Sequence, residues 1–398
     1  MTRLPLKGAL SDQQLDVIED AGILVIDGLI ERVDTFGKLY DEVKISDCAI
    51  DMCETPMVLL PGFIDAHTHI CYAGSRFGDY AMRTAGKSYR EIAGEGGGIW
   101  YTVQKTREST EESLSAGLLQ RTLLHLNRGV TTVEVKSGYG LTIDHEIKML
   151  RVIKDINRQT DTDLIPTCLA AHIPPEEYLN EPEIYLQKIS TALFSILKSE
   201  KLTNRIDIYV DDGAFTVEQA RPYLKQAKRM SFDLTVHADQ FSTGGSALAV
   251  EKNAHSADHL EASGMKEIEL LSKSNVIPVA LPGSSIGLGM PFAPARKLLD
   301  SGASLVIASD WNPGSAPMGD LLTLAAVIGI YEKLSSIEIL SAITFRAAAA
   351  LGLPDRGILE NGSVADMIAF PCNDYREILY HQGTLKPDKV WKNGKRVK

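Results

Sequence analysis

Two histidines one residue apart close an apolar run in PGFIDAHTHICYAGSR, residues 61–76. On a β-strand, side chains at i and i+2 share a face. His67 and His69 therefore aim their imidazoles at a common point. Imidazole nitrogen binds zinc or ferrous iron at about 2.0–2.2 Å, but a pair is too few ligands for a metal. A His-x-His read alone also fits two ordinary strand residues. Later apolar runs end on His237 in VHAD, His259 in ADH and Asp310 in ASD. His237 and Asp310 are the natural partners that complete a ligand set.

Other strand ends carry Lys136, His172 and Asp211 with Asp212. A lysine bridging two metals as its carbamate belongs on strand four of resembling barrels. Lys136 ends strand two, and the strand-four run IDIYVDD has no lysine, so one metal is expected. His125, His145, His255 and His381 fall in helical or loop contexts and read as ordinary residues. The stretch GEGGGIW (94–100) lacks the Gly-Lys-Ser/Thr of a phosphate loop. It is expected to be a loop over the site.

These side chains need a scaffold that brings strand ends together. Eight short apolar runs, at 57–67, 131–136, 164–172, 206–212, 233–239, 256–260, 276–281 and 304–310, alternate with helical stretches. That pattern is expected of buried parallel strands in a (β/α)8 barrel of the TIM type, whose site lies at the C-terminal strand ends. The stretch TEESLSAGLLQRTLLHLNRG (110–129) predicts a helix starting at Thr110 and stopping at Gly129. Short strands flank turn signals at Asp27-Gly28, Asn361-Gly362 and Asn393-Gly394. Residues 1–59 and 355–398 are thus expected to form one small β-sandwich domain, with the barrel over 60–354.

Composition narrows the class. The chain has 398 residues and a formal net charge of −11, which argues against a nucleic-acid or anionic-membrane binder. Five scattered cysteines without a CxxC give neither a disulfide framework nor a zinc knuckle. The N-terminus has no signal-peptide pattern and no run long enough to span a membrane, so a cytoplasmic location is expected.

The motifs PGFIDAHTH, VHAD, ADH, ASD and GILENGSVAD together resemble the amidohydrolase superfamily. HTHICYAGSR, GGGI, TTVEVKSGYGL, AAHIPPEEY, HADQF, FAPARKLLDSG and SDWNPGSAP are similar to its imidazolonepropionase family. The resemblance implies a metal-dependent hydrolase that opens the ring amide of an anionic imidazolone during histidine degradation. It implies one zinc or iron ion on His67, His69, His237 and Asp310. It also implies substrate contacts from Arg76, Tyr139, His172, Gln240, Asn312, Gly314 and Ser315, and a possible homodimer. Asp310 is the expected proton carrier, and His259 the expected partner of the substrate carbonyl.

Two departures stand out: the N-terminal stretch is short, and Gln240 stands where relatives can carry Glu. The competing readings are another cyclic amidohydrolase, a heterocycle deaminase of the same superfamily, or a metal-free barrel serving as a scaffold.

Overall fold

A computed structural model describes residues 4–44, 48–87 and 89–398. The chain opens with an antiparallel hairpin of β1 (Ala21–Ile26) and β2 (Leu29–Thr35). Asp27 and Gly28 turn it with φ of 50° and 83°, the left-handed pair that a tight two-residue hairpin demands. Two short strands follow, β3 (Val58–Pro61) and β4 (Phe63–Asp65). Seven more are β5 (Val130–Lys136), β6 (Asp163–Ala171), β7 (Arg205–Val210), β8 (Asp233–Ala238), β9 (Ser256–His259), β10 (Ile277–Ala280) and β11 (Val306–Ile307). The C-terminal strands are β12 (Met367–Phe370), β13 (Lys389–Lys392) and β14 (Lys395–Arg396).

β4 to β11 pair in chain order as one parallel sheet of eight strands. A parallel bridge between Thr68 and Trp311 joins its two edges. Asp310 N donates to His67 O at 3.1 Å and His69 N to Trp311 O at 3.0 Å. The seam that closes the barrel therefore runs through the two histidines and the aspartate picked out above. Helices cover the outside; Glu111–Asn127 starts on Thr110, whose hydroxyl accepts from Ser113 N at 3.2 Å, and stops before Gly129 at φ 86°.

The expected first strand, 57–67, is two strands. β3 pairs with β12 in a four-stranded sheet ordered β14-β13-β12-β3, while β4 pairs with β5 in the barrel. Gly62 separates them: its N donates to Asp366 O at 2.9 Å, and any Cβ there would overlap Thr131. The apolar run conceals this break because the residues on either side of Gly62, from Leu60 to Asp65, are all buried. The β1–β2 hairpin lies against the four-stranded sheet over a small core of Ile30, Leu359, Ala365, Met367, Ala369 and Trp391. Both chain ends thus feed one β assembly.

Residues 94–100 are not an open loop throughout. A helix, Gly98–Glu108, starts inside them, with Gly98 N donating to Asp79 Oδ2 at 2.9 Å. A carboxylate on a helix N-terminus satisfies an otherwise free amide. Among the described residues no helix is long and apolar enough to cross a membrane.

Candidate active site

His67 and His69 follow β4, His237 sits near the end of β8, and Asp310 follows β11; all four are buried. His69 Nε2 lies 3.2 Å from His67 Nε2 and 3.3 Å from His237 Nε2. Asp310 Oδ1 lies 3.4 Å from His69 Nε2 and 3.6 Å from His67 Nε2. Bonds of about 2.1 Å in a tetrahedron have edges of about 3.4 Å, so these separations fit one ion. Three imidazole nitrogens facing one another in a dry site need a shared cation or proton between them. The described residues thus include donor groups that could hold a metal ion, among them His67, His69 and Asp310.

Behind the histidines lies a charged layer that sequence reasoning missed. Asp258 Oδ2 is 2.7 Å from His67 Nδ1, and Asp207 Oδ2 is 2.9 Å from His237 Nδ1. Such carboxylates leave Nε2 as the nitrogen free to bind metal. Lys136 Nζ contacts Glu134 Oε1 at 2.8 Å, Asp207 Oδ2 at 2.9 Å and Asp258 Oδ2 at 3.9 Å. Burial opposes the charge on Lys136, yet Asp207, Glu134 and Asp258 hold its pKa above the ordinary lysine range. A carbamate there would stand among three buried carboxyl groups. The missed signal was present: Glu134, Asp207 and Asp258 are charged residues inside apolar strand runs, and such groups need partners.

Burial pushes Asp310 up to about 7 and drives His237 down to about 3 and His172 down to about 4. His67 and His69 are also held well below the usual histidine value, by burial first. His259 behaves oppositely. Burial works against its charge, but Glu261 and Asp310 hold its pKa above the ordinary value. Its ring lies 5.4 Å from that of His237, and Glu261 Oε2 is 3.5 Å from its Nδ1. Glu261, fixed by Ser285 Oγ at 3.0 Å, is another residue the sequence reading passed over.

The remaining expected residues surround this centre. His172 stacks on His69 with ring centroids 5.3 Å apart, and Tyr139 lies 5.6 Å from His172. His172 Nδ1 is 3.0 Å from Gly138 O, so Nδ1 carries the proton. Gln240 is held at both ends: Tyr209 OH donates to its Oε1 at 2.7 Å and its Nε2 donates to Ser284 Oγ at 3.0 Å. Asn312 Oδ1 accepts from Gly314 N and Ser315 N, both at 2.8 Å. Arg76 Nε donates to Asp79 Oδ2 at 2.7 Å, and its guanidinium lies against Gly314, where any Cβ would overlap Nη1.

Asp211 is structural: it accepts from the amides of Gln240, Phe241 and Ser242 at 2.7–2.9 Å. Asp212 is exposed. His125 lies outside the centre, 3.6 Å from Asp65 and edge-on to Trp311.

The sequence pattern of the Amidohydrolase family matches residues 58–397. An imidazolonepropionase of Bacillus velezensis is 38% identical over 396 residues, covering 97% of this chain and 91% of the relative. One from Deinococcus deserti is 38% identical over 387 residues, covering 97% and 94%. The chain belongs to the imidazolonepropionase family of amidohydrolases. Among solved structures, an adenosine deaminase from Xanthomonas campestris with bound zinc superposes with a TM-score of 0.71. It is 18% identical, with 95% of this chain and 88% of that one covered, a likeness of fold.

Proposed function

We propose that this protein hydrolyses the ring C–N amide bond of 4-imidazolone-5-propanoate to N-formimidoyl-L-glutamate, using one zinc or iron ion. The observation that supports the reading is the convergence on His69 Nε2, which has His67 Nε2, His237 Nε2 and Asp310 Oδ1 within 3.2–3.4 Å of it. A bound metal of this kind lowers the pKa of water and polarises a carbonyl oxygen.

The chain's own groups supply the rest. Asp310, with a pKa near 7, takes a proton from the attacking water and returns it to the leaving ring nitrogen. His259, kept cationic in tendency by Glu261, hydrogen-bonds the oxygen on which negative charge develops. The free end of the Arg76 guanidinium binds the propionate carboxylate with a planar fork that a lysine lacks. Gly314 keeps that fork uncovered. Tyr139 and His172 wall the ring, and Asn312 with Ser315 shapes the turn beside Asp310. Gln240 cannot shuttle a proton and serves through its fixed amide.

Arg76 separates this reading from a deaminase of a neutral heterocycle, which has no carboxylate to bind. Five free cysteines support a reducing, cytoplasmic setting. The test is loss of imidazolone absorbance with the metal-loaded protein, compared with His237→Ala. Turnover by the intact protein alone is expected; none by either protein sinks the reading.

A further inference from the structure

We propose that Lys136 is a positioning residue that sets the affinity of the metal site, acting through Asp207 and Asp258. The inference rests on the reading of His67, His69, His237 and Asp310 as metal ligands. Lys136 is 1% exposed, and the partners of its ammonium are the carboxylates of Glu134, Asp207 and Asp258. Two of those partners use the same oxygen twice. Asp207 Oδ2 lies 2.9 Å from Lys136 Nζ and 2.9 Å from His237 Nδ1. Asp258 Oδ2 lies 3.9 Å from Lys136 Nζ and 2.7 Å from His67 Nδ1. One ammonium therefore lies beside the carboxylate oxygens that face two of the three histidines.

The electrostatics require it. Glu134, Asp207 and Asp258 are all buried around one point. Without a cation, buried carboxylates this close repel one another strongly, and relief comes from taking up a proton or from swinging apart. That movement would release the Nδ1 side of both rings and broaden the spread of their Nε2 atoms. Groups behind metal-binding histidines ordinarily change metal affinity by about ten- to a hundredfold when removed.

The test is zinc binding by the full-length apoprotein, measured by competition with a chelating dye, with circular dichroism to confirm the fold. Lys136→Met and Lys136→Gln are expected to bind zinc about ten- to a hundredfold more weakly than the parent. In an Asp207→Asn background, Lys136→Met should add much less than it does alone, because the link it acts through is already cut. A folded Lys136 variant with parental zinc affinity overturns the proposal, as do losses that multiply independently in the double variant. Lys136 variants that stay unfolded in saturating zinc overturn it too, since the lysine then serves the fold. A parent protein that binds neither zinc nor ferrous iron removes the ligand assignment itself, which separates that failure from this one.

Discussion

Asn312 Nδ2 donates to Asp310 twice, to the backbone carbonyl at 2.7 Å and to carboxylate Oδ2 at 2.9 Å. One carboxylate oxygen is thereby committed to Asn312 while Oδ1 faces His67 and His69. The same amide restrains a backbone at φ 52°, a region that costs a non-glycine residue free energy. Asn312→Ala should lower kcat by at least tenfold while zinc content after dialysis stays near that of the parent. Elemental analysis beside steady-state kinetics checks this; loss of metal in proportion to kcat would contradict it.

Arg76 and Gly314 make a paired prediction. Arg76→Ala removes charge-assisted hydrogen bonds worth about 1.5–3 kcal/mol, so KM should rise on the order of ten- to a hundredfold with metal content unchanged. Gly314→Ala should reproduce much of that rise, because its methyl displaces the guanidinium from where it now lies. If Gly314→Ala leaves KM unchanged, the arginine does not work from this position.

Acid sensitivity should trace in part to His125, which is buried and held down to about 3, by burial first. Its unfolded value is about 6.5, so between those limits the unfolded chain binds the extra proton. Stability from this group is present above about pH 6.5 and is lost as pH falls toward 3. At pH 5 the loss is about 2 kcal/mol. Between pH 8 and pH 5, His125→Gln should lose about that much less unfolding free energy than the parent in urea titrations, whatever its starting stability. Parallel pH profiles for the two proteins would refute the assignment.

Metal removal supplies the last prediction. Ligands that bind an ion only when folded gain stability from it by mass action. Stripping with a chelator should abolish turnover and lower Tm, and zinc or ferrous iron added back should restore both. Recovery of Tm without turnover for one of the two ions would identify the other as the working metal.

Much of the barrel is legible in the sequence because buried parallel strands are short apolar runs with a polar end. His67, His69, His237, His259 and Asp310 stand at such ends, where the site had to be. Asp207, Asp258 and Glu134 stand one to four residues earlier, inside the runs, where an apolar reading passes over them. Glu261 is hidden for another reason: it lies beyond the strand, in the turn after His259. The break at Gly62 leaves no mark in hydropathy, because the residues on both sides are buried equally well.

That break has a thermodynamic consequence. With a single residue between β3 and β4, the sheet made by the chain ends and the strand leading to His67 share one continuous stretch of fixed backbone. Opening of the terminal sheet is therefore expected to couple to the first barrel strand. Amide hydrogens of β12 and of β4 are expected to exchange as one unit, so that fraying of the chain ends would reach the backbone that carries the histidine pair.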